Sequence, residues 1–476
     1  LKKIYIAAGV LLIPLVWFAA SKIAGGYVVP APWTTIYDTA VLLQKPESWW
    51  TIFITIGRVC LGFAIAFLAG AVAGVASVKP AVEYLLRPIV LLMQGIPPIL
   101  WAIPLILILG WSGITPVVVI ALICFPLVVT TLAEGMRTVP VSLREMLDIF
   151  APGFTPRLRE LILPHLRPFI AAAVRLGLGL GIKASVVAEY FAANNGIGFK
   201  VQAAYQSFAV RALFSWALVL IVIILLADMI VRLFFRLVAA FPGPRKRLPE
   251  SSAESLAAIR DRIGAYGDRQ SIVLRDISFE YSNGREVLSG LDFTVGPEEI
   301  AVISGDSGVG KTTLLKIIAG LMAPARGQVQ SPEDFGFMFQ EDRLLPWRNC
   351  LSNAALGLYY RGRSWAEARE YARYLLDQVG LAGLELADPD ELSGGMKKRL
   401  AFARCFACFP GALLLDEPFT GLHHEARAEL WSRFSALIRQ RPVPVIVVTH
   451  FPEEVPRGER TSFYELSGAP ATLERC

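Results

Sequence analysis

Long apolar runs recur along residues 1–240, and nothing comparable follows residue 271. A membrane helix needs about 20 mostly apolar residues. Six stretches meet that need: 4–24, 51–78, 88–110, 115–134, 168–190 and 213–237. From Ser271 the pattern changes to short β-rich runs alternating with helical ones, which predicts a parallel-sheet α/β domain. Between the two lies 241–270. Phe241-Pro242-Gly243-Pro244 stops the last apolar helix, and a basic cluster, Arg245, Lys246 and Arg247, precedes a polar stretch through Ser251 and Ser252. The expected organisation is an all-α six-helix transmembrane domain over 1–240, a linker over 241–270 and an α/β domain over 271–476.

Composition supports a membrane protein. The chain of 476 residues is 54% hydrophobic, too apolar for an ordinary soluble protein. Its net charge of +6 could suggest a nucleic-acid partner, but the basic residues cluster beside the apolar spans, so no nucleic acid is expected. With the N-terminus inside, the cytoplasmic loops hold Lys79, Arg87, Arg137, Arg144, Arg157, Arg159 and Arg167, then Arg245–Arg247. The outer loops offer Lys45, Lys200 and Arg211. That asymmetry sets the orientation and puts the α/β domain in the cytosol. The first run follows Lys2 and Lys3 but lacks a small-residue cleavage site, so it reads as a first membrane helix rather than a signal peptide. Leu1 reads as an unusual start or a trimmed terminus. The six cysteines imply no disulfide framework, and Cys405-x-x-Cys408 sits in an apolar helical stretch that favours core packing over metal or redox chemistry.

The chemistry lies in the second half. Gly305-Asp306-Ser307-Gly308-Val309-Gly310-Lys311-Thr312 fits G-x-x-x-x-G-K-[ST], between the apolar run Ile300 to Ile303 and the helical run Leu314 to Leu321. Such a loop wraps phosphates with backbone N–H groups at a helix N-terminus. Lys311 should reach the β- and γ-phosphates, the Thr312 hydroxyl should ligate Mg²⁺, and Thr313 completes the loop. Downstream, Ala412 to Leu415 reads as a buried strand ending in Asp416 and Glu417. Asp416 would hold Mg²⁺, and Glu417 would polarise the attacking water. ATP and Mg²⁺ are thus the expected nucleotide and metal.

Leu392-Ser393-Gly394-Gly395-Met396 resembles the signature of ATP-binding cassette proteins, with Ser393, Gly394 and Gly395 aimed at a γ-phosphate. The resemblance runs in order over 271 to about 470. It implies that Tyr281 stacks on adenine, that Gln340 senses Mg²⁺ and touches the membrane domain, and that His450 is the switch histidine beside the γ-phosphate. It departs at Leu422-His423, where the family usually has Leu-Asp; without that fixed negative charge, coupling between two nucleotide sites is weakened. The stretch after His450 is short, so no separate regulatory domain is expected from it.

Importers of this superfamily carry a cytoplasmic coupling loop with an E-A-A pattern. The loop 135–167 resembles it through Glu145-Met146-Leu147, then Ala151 at the family's glycine, then Leu161, Leu163 and Pro164. Both alanines and the glycine are replaced, and Gly153 lies two residues late, so an amphipathic cytoplasmic loop of no special role is the alternative. Leu143, Met146, Leu147 and Phe150 recur at helical spacing and predict a short helix with one apolar face, to be received by a groove beside Gln340. Gly95-Ile96-Pro97-Pro98 with Pro104, Val187-Ala188-Glu189-Tyr190, Asn195 to Phe199, and Gln340 to Trp347 resemble the nitrate, taurine and aliphatic-sulfonate importer group. In that group permease and ATPase are usually separate chains, so this chain resembles a fusion of the two.

Charges inside spans are costly and often functional. Lys183 is the candidate to face an anionic solute, and Glu189 is a second charge in the same span; snorkelling or pairing with a neighbouring helix is the structural alternative for either. Asp228 and Arg232, four apart, suit a structural pair. The resemblance implies ATP-driven import of a small solute such as a sulfonate, taurine or nitrate across the bacterial cytoplasmic membrane. The chain would act as a homodimer in lipid, fed by an external binding protein. Import of a vitamin precursor, a half-size exporter and a membrane-anchored ATPase without transport are the alternatives.

Overall fold

The computed structural model describes residues 2–240, 270–281, 283–440, 442–458 and 460–476. The linker motifs, Phe241 to Ser252, and Leu1 lie outside the described residues. The chain forms two compact units: Leu1–Thr138 with His165–Pro244, and Val139–Pro164 with Arg245–Cys476.

The first unit is helical. Four helices are long and apolar enough to cross a membrane: Pro46–Ala76, Ile114–Arg137, Phe154–Ala192 and Val210–Leu237. They contain four of the six expected spans. The expected span 88–110 is not one helix. It is divided between Pro80–Gly95 and Pro98–Leu109, which bend by 97°. Ile96 is extended, as the residue before a proline prefers, and Pro97 lacks the N–H that would continue the helix. Helix Lys2–Ala24 carries the expected span 4–24; within it the apolar stretch Leu12–Ala24 is short of spanning length. Proline opens the helices at Pro32, Pro46, Pro80 and Pro98, where its missing N–H has no partner to lose.

Helix Pro46–Ala76 packs along Ile114–Arg137 through small residues. A Cβ at Gly62 would lie 2.7 Å from the Val117 carbonyl, and one at Gly74 would lie 3.0 Å from the Val129 carbonyl. With Ala66 and Gly70 these glycines recur every four residues, so two backbones approach closely along one stripe.

One buried polar cluster crosses this unit. Glu189 is fully buried and accepts from Arg58 at 3.0 Å, Thr55 at 2.9 Å and the Gly198 amide at 3.0 Å. Arg58 also donates to the Asn195 carbonyl and side chain. The segment Asn195–Gly198 is thereby pinned to two helices. Gly196 has φ 98°, and a Cβ there would sit 2.5 Å from the Glu189 carboxylate. Gly196→Ala is expected to destabilise the membrane unit by roughly 1–3 kcal/mol, from strained backbone plus a displaced buried carboxylate. A thermal unfolding midpoint in detergent equal to that of the wild type would contradict this.

The second unit holds a nine-stranded sheet among the described residues. Its strands are β1 (Ile272–Glu280), β2 (Glu286–Val295), β3 (Ile300–Ser304), β4 (Arg326–Gln330), β5 (Phe335–Met338), β6 (Ala412–Asp416), β7 (Val445–Val448), β8 (Thr461–Gly468) and β9 (Ala471–Arg475), in the order β4-β1-β2-β9-β8-β3-β7-β6-β5. The run β8-β3-β7-β6-β5 is parallel, and β5, β6 and β7 are buried at every position, so they read as continuous apolar runs. The carboxyl ends of β3, β7, β6 and β5 lie side by side.

Candidate functional site

Those four strand ends deliver the chemistry, as parallel α/β sheets do. Gly305–Thr312 follows β3, His450 follows β7, Asp416 and Glu417 close β6, and Gln340 lies two residues beyond β5. The loop turns into helix Lys311–Ile318 at Gly310, whose φ of 119° and 2.8 Å clearance from Val287 admit no side chain. Residues of Ser307–Thr313, with Tyr281, Arg285, Val287, Gln340, Glu417 and His450, line a cavity of 340 Å³.

The side chains around the cavity are held by short hydrogen-bonded groups. The Thr312 hydroxyl donates to Asp416 at 2.9 Å. Glu417 accepts from the Gln340 amide at 3.2 Å, and His450 Nε2 lies 3.0 Å from its other oxygen. Glu417 has φ 48°, a left-handed backbone that is costly outside glycine, with its N–H held by the Val448 carbonyl. Lys311 folds back onto the carbonyls of Gly305 and Asp306 at 2.7 and 2.8 Å. Tyr281 stands at the cavity edge with its hydroxyl 3.0 Å from that of Thr313.

Burial, then the charge of neighbouring Glu417, raises the Asp416 carboxyl above its usual value. Burial also lowers the Lys311 ammonium. Two adjacent carboxylates, a hydroxyl and a side-chain amide make a hard-oxygen donor set. That set fits Mg²⁺, which takes one or two carboxylates together with substrate phosphates. Ser393, Gly394 and Gly395 do not line this cavity. Ser393 caps helix Gly394–Ala407 by accepting from the Met396 amide. Leu422, before His423, reaches the signature turn: a Cβ on Gly395 would touch it at 3.4 Å. His423 itself is exposed. Cys405 and Cys408 are both buried.

The loop between the fourth and fifth expected spans packs with the nucleotide-site unit. Helix Val141–Phe150 buries Leu143, Met146, Leu147 and Phe150, and packs on β5 and helix Cys350–Tyr360. Ala151 is buried at its end. Glu145 accepts from Lys316 at 2.8 Å and from Arg343 at 2.7 Å. Burial works to raise the Glu145 carboxyl, but its bonds to Lys316 and Arg343 outweigh that and hold it below the usual value. Lys316 is on the helix that begins at Lys311, and Arg343 is three residues from Gln340. One carboxylate therefore touches both the phosphate-loop helix and the Gln340 segment. Arg404, fully buried on the signature helix, donates to the carbonyls of Asp342 and Arg343 and lies 5.0 Å over the Phe150 ring.

Sequence reasoning placed Glu145 and Leu147 on this helix but overlooked Lys316, Arg404 and Glu160. No local pattern marks them, because each is one charge among several on its element and its partner lies elsewhere in the chain. Of the two charges proposed near a solute path, Lys183 is exposed while Glu189 is spent in the Arg58 cluster. Asp228 pairs with Arg232 at 2.6 Å and also with Arg175.

Comparison with known proteins agrees in both halves. Residues 288–420 match the family model "ABC transporter", and residues 66–240 match "Binding-protein-dependent transport system inner membrane component". The aliphatic sulfonates import ATP-binding protein SsuB 1 of Rhodococcus jostii is 45% identical over 174 residues, 35% of this chain and 68% of that protein. The taurine import ATP-binding protein TauB of Pseudomonas fluorescens is 38% identical over 190 residues, 38% of this chain and 72% of that protein. Among solved structures, a dimeric bacterial ABC transporter cassette is 28% identical with a TM-score of 0.39, covering 43% of this chain and 97% of that one. A phosphate loop, a strand-end carboxylate pair and a capped signature helix on one sheet, preceded by an inner-membrane transport component, make this chain a member of the ATP-binding cassette transporter family, with permease and ATP-hydrolysing cassette fused in one polypeptide.

Proposed function

We propose that the chain is half of an importer that takes up a small organic anion of the sulfonate or taurine class from an external binding protein. The observation that carries the import direction is the loop Val139–Pro164, seated in the cassette with Glu145 between Lys316 and Arg343. The solute class rests on the sulfonate and taurine import proteins that resemble the cassette, and on Lys183, an exposed cation in an apolar helix with no ion pair among the described residues. If the bent pair and helix Lys2–Ala24 each cross once, the spans number six, and both ends of the membrane unit would lie on the cassette's side of the membrane.

In this reading Lys311 leaves its loop carbonyls for the β- and γ-phosphates, and Tyr281 faces the base. Thr312, Gln340 and Asp416 would hold Mg²⁺, which supplies charge neutralisation at the phosphates. Glu417, oriented by His450 and Gln340, aligns the attacking water. Each chain has one phosphate loop and one signature, and the signature lies off its own cavity, so two copies would complete two ATP sites. Cells given taurine or an alkanesulfonate as the only sulfur source should stop growing when this chain is deleted and grow normally on sulfate. Unimpaired growth on both compounds would refute the solute assignment.

A further inference from the structure

The loop Val139–Pro164 grips the cassette at a second place. Glu160 lies on a π-helical turn, Arg157–Ile162, and is 2% exposed. Its carboxylate accepts from Arg348 Nε at 2.6 Å and from the Tyr360 hydroxyl at 2.6 Å, while its backbone carbonyl accepts from the Trp347 indole at 2.8 Å. Burying a carboxylate this deeply is costly unless both of its oxygens are hydrogen-bonded. Burial, and then the bond to Glu160, raises the Tyr360 hydroxyl above its usual value, so it stays a donor.

The arrangement has a mechanical consequence. Arg343 and Arg348 are on the segment that follows Gln340, and each holds one acid of the loop: Arg343 takes Glu145 and Arg348 takes Glu160. Within the loop, Asp148 pairs with Arg157 and ties the helix Val141–Phe150 to the π-helical turn. A single clasp allows the loop to pivot, whereas two clasps on one segment make loop and segment turn together. The π-helical turn then continues directly into helix Leu163–Ala192, which carries Lys183. Isolated π-helical turns often mark functional positions.

We propose that Glu160 is a positioning residue for coupling: with Arg348 and Tyr360 it forms the second clasp through which movement of the Gln340 segment reaches the fifth membrane helix. The proposal rests on the importer reading above, and its test separates the two. The protein is placed in lipid nanodiscs in a Glu417→Gln background, and hydrogen exchange is followed on adding Mg-ATP. Peptides over 305–318 report nucleotide binding, and peptides over 193–209 report the response of the membrane unit. With the loop intact, both regions should respond. Adding Glu160→Gln should leave the first response in place and weaken the second by about tenfold or more, the equilibrium weight of one charge-assisted hydrogen bond. Tyr360→Phe, which removes one bond and no charge, should weaken the second response partially. A full membrane response in Glu160→Gln overturns the proposal. If that variant loses both responses, Tyr360→Phe decides: selective loss over 193–209 supports the clasp, and an unchanged response overturns it. A control protein with no membrane response to ATP would instead sink the importer reading itself.

Discussion

Glu417→Gln should keep ATP binding and lower hydrolysis by roughly 10²-fold or more, as loss of a general base does. The geometry explains why the effect should be so selective. Glu417 is held at a left-handed φ of 48° by the Val448 carbonyl, and its two oxygens face Gln340 and His450. An amide of the same shape keeps the cavity and one acceptor oxygen, with an NH2 in place of the other, so affinity for nucleotide is retained. It cannot take a proton from water, so the chemical step fails. Because bound ATP then persists, the variant should also accumulate as a pair of chains holding two nucleotides, measurable by mass in detergent. Wild-type turnover in Glu417→Gln would remove Glu417 from the reaction, and an ATP-loaded single chain would remove the two-copy arrangement.

Leu147→Glu should abolish solute uptake while the cassette still binds ATP. Leu147 is fully buried on helix Val141–Phe150, in the apolar face that meets β5 and helix Cys350–Tyr360. Truncation to alanine there should cost about 2–5 kcal/mol, the range for a buried leucine. A carboxylate at this fully buried position carries a large desolvation cost, so the helix undocks rather than bury the charge. Glu145 then loses Lys316 and Arg343 together, and the phosphate-loop helix no longer touches the loop. The two halves would work separately: ATP would bind and turn over without uptake of taurine or sulfonate into proteoliposomes supplied with the binding protein. Uptake at the wild-type rate in Leu147→Glu would show that this helix does not carry the coupling.

The apolar face of that coupling helix illustrates how far the chain could be read directly. Leu143, Met146, Leu147 and Phe150 are spaced for one helix face, and periodicity alone predicts the element. Likewise Gly305–Thr312, Asp416–Glu417 and Ser393–Gly395 are local motifs, because a phosphate loop, a strand end and a helix cap each depend on a few consecutive residues. Span length is equally local: about 20 apolar residues suffice to cross a bilayer whatever they pack against. The bend at Ile96-Pro97-Pro98 could be foreseen as a weak point from its prolines, but not its angle of 97°, since neighbouring elements decide how far a broken helix turns.

Pairing over long distances was not legible. Arg58 and Glu189 are both costly in an apolar segment, yet nothing local says that they meet across 131 positions and close on Asn195. Glu160 looks like one charge among several in a polar loop until the fold brings Arg348 and Tyr360 to it. The same holds for Lys316 and Arg404, whose partners lie on other elements. Sequence alone thus determined most of the long helices, the alternation of strands and helices in the second unit and the nucleotide-binding motifs, which follow from short-range pattern. Tertiary structure decided which buried charges are neutralised by which partners, because burying an ion is tolerable only where a distant part of the chain supplies the opposite charge.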